Sequence, residues 1–310
     1  MISRVTAAVV MLASAIAACG GPAPESEADG ADPARIESKA LVVLTTNYPQ
    51  AYFAERIGGD RVRVEFPAPP GIDPAYWSPS AEVIAAYQGA DVIFLNGAGY
   101  EGWVAKTSLP ESKLVSTSSG FEDLYLVAEE AVLHTHGPEG EHEHENVAFT
   151  TWLDPMLAIQ QARAIKDALT ERLPGAEADL QAGFTALEMD LTDIDGQLQA
   201  WATARASQPL LASHPVYQYL ARRYGLDLRS VHFEPDELPT PGAWRDLADL
   251  VAEHPAKLML WEGSPLPETE ARLREQLGIA TVVFEPCANR PPAGDYLSVM
   301  RANAKRIATM

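Results

Sequence analysis

Four of the chain's seven histidines fall within "LHTHGPEGEHEHE", Leu133 to Glu145. They form two His-x-His pairs, His134 with His136 and His142 with His144, separated by glycines and a proline. Residues i and i+2 of an extended segment point the same way, so each pair offers two imidazoles to one ion, and a Gly/Pro turn brings the pairs together. Glu139, Glu141, Glu143 and Glu145 add negative potential that keeps cations close. The chemistry this spacing serves is binding of a divalent metal. Ordering a loop around an ion costs roughly 1–2 kcal/mol per residue fixed, so accessory capture by a solvated acidic loop is the simpler expectation and tight completion of a central site the more demanding one.

Nucleophilic chemistry finds little support. "ASHPV" sets Ser213 beside His214, but neighbours on a strand face opposite ways. No G-x-S-x-G elbow occurs, and "GGD" and "GAG" read as ordinary turns rather than phosphate cradles. The chain is not expected to be an enzyme.

The elements around the histidines read as α/β. Strand candidates "LVVLT", "RVRVEF", "DVIFLNG", "KLVST" and "LYLVA" precede the histidine stretch; "PLLASH", "LRSVHF", "KLMLWE" and "ATVVFEP" follow it. Two long segments with helical apolar spacing lie between the sets, the first opening at Asp154-Pro155, a cap followed by proline at the first helical position. The expected architecture is two α/β lobes with mainly parallel sheets joined by a long rigid linker helix, which disfavours a large hinge motion. The expected bounds are an N-terminal lobe over 40–152 with the His-rich loop at 133–146, a linker helix over 153–173, and a C-terminal lobe over 174–310.

At 310 residues and 47% hydrophobic content the chain can fill two cores unaided. Its opening "MISRVTAAVVMLASAIAAC" has the length and polarity of an export signal rather than a membrane span, giving a signal peptide over 1–18. "IAAC" resembles a lipobox, which makes Cys19 the lipid-carrying residue; cleavage after the A-x-A of "AIA" is the other reading. Residues 19–39 are rich in Gly, Pro, Ala and acid and read as a flexible tether. Export to the periplasm or cell surface, lipid-anchored to a membrane, is the expected location. The formal charge of −20 argues against nucleic acid as a partner.

Six segments, "IGGDRVRVEF", "PPGIDPAYWSPS", "GADVIFLNGAGYEGW", "TWLDP", "ASHPVYQYLARRYGL" and "YLSVMRANAKRI", together resemble the cluster A-I, or TroA-like, solute-binding proteins of zinc and manganese ABC importers. They stand in that family's order, from about Leu41 to the C-terminus. The acidic His-rich insertion resembles the one in many zinc-specific members. The resemblance implies metal held between two lobes and delivered, by a protein expected to be a monomer, to an ABC-type permease in the membrane.

The resemblance also implies a ligand set, and two of its histidines are missing. Ala75 stands where the first is expected and Thr150 where the second is. His214 matches the third, and Glu285 the acidic ligand. Two protein ligands are too few for tight zinc binding, since zinc takes four. His232, at a strand end, and Cys287, two residues beyond Glu285, are further ligand candidates. Tyr76 and Trp77 are candidate lining for a ligand other than a bare ion. The cargo expected is zinc, with manganese or iron less favoured, because imidazole suits zinc and manganese prefers oxygen. The competing reading is a degenerate member that acts as a metal chaperone or buffer, a surface interaction protein, or a carrier of a metal complex or other small ligand.

Overall fold

The computed structural model describes residues 40–128 and 147–310. The segments expected to be a signal peptide and a tether with Cys19, and the stretch carrying His134, His136, His142 and His144, lie outside the described residues.

Strands β1 (Leu41–Thr45), β2 (Val62–Glu65), β3 (Val92–Leu95) and β4 (Leu114–Ser116) make one parallel sheet in the order β2-β1-β3-β4. Strands β5 (Leu210–Ala212), β6 (Leu228–Ser230), β7 (Leu258–Trp261) and β8 (Ala280–Val283) make a second in the order β6-β5-β7-β8. The two lobes are thus wound alike. β7 is buried along its whole length, as a strand covered on both faces must be, which is why "LMLW" is continuously apolar.

One expected strand is absent. In "LYLVA" only Val127 pairs, through a single antiparallel bridge to Val147. The Ala148–Leu126 hydrogen bond belongs to that bridge, and Tyr219 of the second lobe satisfies the backbone groups beside it. Leu126 N–H donates to the Tyr219 hydroxyl at 3.2 Å, Ala148 N–H donates to Leu126 O at 2.8 Å, and the Tyr219 hydroxyl donates to Ala148 O at 2.8 Å. Both flanks of the His-rich stretch are thereby tied to one tyrosine of the second lobe.

Helices α1 (Tyr48–Gly58) and α2 (Ala81–Gly89) belong to the first lobe; α5 (Gln218–Tyr224), α6 (Pro241–Glu253), α7 (Pro267–Arg272) and α8 (Tyr296–Ala308) belong to the second. Between them run α3 (Pro155–Arg172) and α4 (Glu177–Ala204). Asp154 caps α3 by accepting from the amides of Met156 and Leu157, and Pro155 takes the first helical position, where no N–H is needed. At 28 residues α4 is roughly 42 Å long, and it packs on α1 and α3 as well as on α5 and α8. It crosses the end of α1 so closely that a Cβ on Gly183 would sit 2.8 Å from the carbonyl oxygens of Arg56 and Ile57.

The largest apolar core cluster spans both lobes, from Val43 and Phe94 through Leu180, Leu187 and Leu191 of α4 to Leu260 and Phe284. Wide opening of the cleft would expose part of that core to water, at about 25 cal/mol for each Å² uncovered. The Trp152 indole N–H donating to Pro286 O at 2.8 Å and the Tyr48 amide donating to Ala288 O at 2.9 Å reinforce the junction.

Candidate metal centre

Ligands of open parallel sheets gather beyond the carboxyl ends of the strands. In the second lobe those ends carry His214 after β5, His232 and Glu234 after β6, Glu262 directly after β7 and Glu285 after β8. The Phe233 amide donates to Ser213 O at 2.8 Å, fastening the exit of β6 to that of β5. Phe233 is buried, so its neighbours His232 and Glu234 both face outward.

His214 lies between two carboxylates. Its Nε2 is 3.3 Å from Glu234 Oε1 and its Nδ1 is 3.4 Å from Glu262 Oε1. Donor atoms of these three residues lie within 4.8 Å of one another, the spacing of groups that share one ion. The His232 ring stands edge-on to His214, centroid to centroid 5.4 Å.

The cluster opens into a cleft of about 560 Å³ between the lobes. Asp73, Tyr76 and Thr150 line it from the first lobe, Glu285 and Cys287 from the second. Burial raises the Asp73 carboxyl above its usual range, against the pull of the Ala75 amide and of His214. Burial likewise raises Glu262, which His214 lowers and the charges of Glu234 and Asp73 raise further. The carboxyls of Glu234 and Glu262 at the imidazole, with Asp73 lining the same cleft, repel one another, and a divalent cation among them would remove that repulsion.

The sequence-derived candidates fall in different places. His214 is central. Glu285 lines the cleft outside the cluster; its carboxyl is raised by burial, with Arg306 as the opposing charge. Cys287 is buried with a left-handed φ of 59°, its thiol pushed far upward by burial and its Sγ facing Asn289 O at 3.9 Å. A thiol so raised stays protonated in the absence of metal. The Ala75 amide donates to Asp73 Oδ1 at 2.9 Å, and the Thr150 hydroxyl donates to Val216 O at 2.6 Å. Tyr76 is 80% exposed at the rim, edge-on to Phe149, and Trp77 is half-buried.

Glu234 and Glu262 escaped the sequence reading. The signals for them were present: a His-x-Glu alternation at a strand exit, and a glutamate directly after the apolar run "LMLW".

Two alike parallel lobes, a shared core, and a His/carboxylate cluster at the strand ends facing the cleft define a solute-binding protein of the metal-binding class. Residues 43–310 match the model of the periplasmic component A of the zinc-uptake complex, ZnuA, and the chain belongs to that family. It is 27% identical over 277 residues to the zinc-binding lipoprotein AdcA of Streptococcus pneumoniae, covering 86% of this chain and 55% of that one. The chain thus spans about half the length of that relative. It is 25% identical over 249 residues to the manganese-binding lipoprotein MntA of Halalkalibacterium halodurans, covering 79% and 76% of the two chains. Its fold is similar to that of the metal-dependent lipoprotein YcdH of Bacillus subtilis, with a TM-score of 0.74 at 22% identity, over 87% of this chain and 98% of that one. Among the described residues no helix is long and apolar enough to cross a membrane.

Proposed function

We propose that the protein captures a divalent metal ion, zinc foremost, in the interlobe cleft and delivers it to an ABC-type permease, while held at a membrane through lipid on Cys19. The observation that carries the reading is the His214, Glu234 and Glu262 cluster, in a chain that belongs to a metal-uptake family. One imidazole with carboxylates suits zinc and, through its oxygens, leaves room for manganese or iron; the usual affinity order places zinc above both. In this reading His134, His136, His142 and His144 serve as accessory ion-capturing groups. The protein has no catalytic role in this reading.

The test is calorimetric titration of zinc into the wild type and the His214→Ala variant. Micromolar or tighter binding that His214→Ala weakens at least tenfold is expected. A wild-type dissociation constant no better than about millimolar, roughly −4 kcal/mol, would sink the proposal.

A second reading, a carrier of a metal complex, is favoured by the cleft itself. About 560 Å³ lined by Tyr76, Tyr100 and Phe149 exceeds what a bare ion needs and falls in the usual range for small organic ligands. Native mass spectrometry of protein purified without added metal distinguishes the two by the mass retained.

A further inference from the structure

The two ring nitrogens of His214 are not equivalent. Nδ1 is sealed from solvent and makes no hydrogen bond of good geometry, although Glu262 Oε1 is 3.4 Å away. The ring as a whole keeps 20% of its surface, and Glu234, whose Oε1 lies 3.3 Å from Nε2, is 52% exposed. An ion arriving from the cleft can reach Nε2 and Glu234 together, but it cannot reach Nδ1.

Resting on the metal-capture reading above, we propose that the ion binds His214 Nε2, Glu234 and Asp73, with Glu262 as the positioning residue that accepts from His214 Nδ1–H. A metal-bound imidazole commonly donates its other N–H to a carboxylate, which fixes the tautomer and raises the basicity of the ligating nitrogen.

Asp73 supplies the share of the first lobe. It lines the same cleft, one of its oxygens is occupied by the Ala75 amide, and its charge acts on both His214 and Glu262. With no imidazole at Ala75 or Thr150, it is the carboxylate that the "GIDPAYW" loop presents to the cleft. Three protein ligands leave one position of a four-coordinate ion to water, an open arrangement that favours exchange and release. Glu285 has no place in this set.

The experiment titrates zinc alone into the full chain carrying alanine at His134, His136, His142 and His144, so that the cleft is read without the loop. On that background Asp73→Asn and Glu234→Gln are each expected to weaken the dissociation constant at least tenfold, and Glu285→Gln and His232→Ala to leave it within about threefold. Glu262→Gln is expected to weaken it about 10- to 100-fold. It should also shift the visible bands of the cobalt-substituted protein, and Glu262→Asp should recover part of both, which a purely structural role would not produce. Circular dichroism and the melting temperature establish that each variant is folded.

A large loss with Glu285→Gln and none with Glu234→Gln would place the ion at Glu285 and overturn the proposal while the metal reading stands. A large loss with His232→Ala and none with Asp73→Asn would make the third ligand an imidazole of the same lobe, which also overturns it. Absence of zinc binding by both the wild type and the background would overturn the functional reading and this proposal together.

Discussion

The Thr150 hydroxyl donates to the backbone carbonyl of Val216 across the cleft at 2.6 Å, so a position where the family resemblance expects a metal-binding imidazole holds a bond between lobes instead. Thr150 is only 5% exposed, and losing its hydroxyl leaves a carbonyl unsatisfied at about 1–3 kcal/mol. Thr150→Val should therefore lower the stability read by urea unfolding by that amount. Zinc affinity, measured by calorimetry, should change less than about threefold.

Gly183 and Gly196 lie on the same helix in opposite situations. A Cβ at Gly183 meets backbone carbonyls of α1 at 2.8 Å, whereas one at Gly196 meets nothing within 4 Å. Gly183→Ala should cost about 1–3 kcal/mol by forcing α4 off α1. Gly196→Ala should stabilise by about 0.5–1 kcal/mol, since alanine loses less backbone entropy in a helix. Thermal unfolding of both variants checks the pair.

Glu101 gives the fold a pH dependence. Its carboxylate accepts from the Thr46 hydroxyl and the amides of Asn96 and Gly97, yet burial still pushes its pKa up to about 7. A carboxyl whose folded pKa lies above its unfolded value keeps its proton longer when folded. The native state then binds more protons than the unfolded state between about pH 4.5 and 7. This group's contribution therefore makes stability fall as pH rises through that window, by at most roughly 1.4 kcal/mol per pH unit, and level off above it. Glu101→Gln should remove that component of the slope in unfolding curves taken across the window.

Replacing residues 129–146 by a short Gly/Ser link should lower the number of zinc ions bound without abolishing the tightest site. Native mass spectrometry counts the ions, and calorimetry follows the affinity. Loss of the tightest site with the loop would show that its histidines complete the centre.

The fold was legible because central strands such as β3 "VIFL" and β7 "LMLW" are short apolar runs buried along most or all of their length, and "DP" before α3 is a cap with a stated mechanism. "LYLVA" misled because an apolar and aromatic run reports fitness for a strand and not the presence of a neighbour to pair with; beyond the single bridge to Val147, the Leu126 N–H is committed to the Tyr219 hydroxyl instead. His214 was legible from the resemblance and sits at the centre of the cluster. Glu234 and Glu262 were not, because the resemblance directed attention to Glu285 and because a glutamate at a strand exit is an unremarkable surface residue until the adjoining strands are ordered. The order β6-β5-β7 is what sets both beside His214.

The Tyr219 hydroxyl bonds to Leu126 on one side of the His-rich stretch and to Ala148 on the other, so the stretch leaves and re-enters the body at one spot. Its four histidines are leashed at both ends. His136 stands eight residues from Ala128, which bounds its distance from Ala128 at about 28 Å, and the other three histidines stand fewer residues from a described end. On the proposed capture by this loop, an ion held there would stay at an effective concentration on the order of millimolar around its attachment, whatever its dilution outside. On the same proposal, transfer from the loop to a site within reach would be a step inside one molecule, at a rate that does not depend on how scarce the metal is in the surroundings.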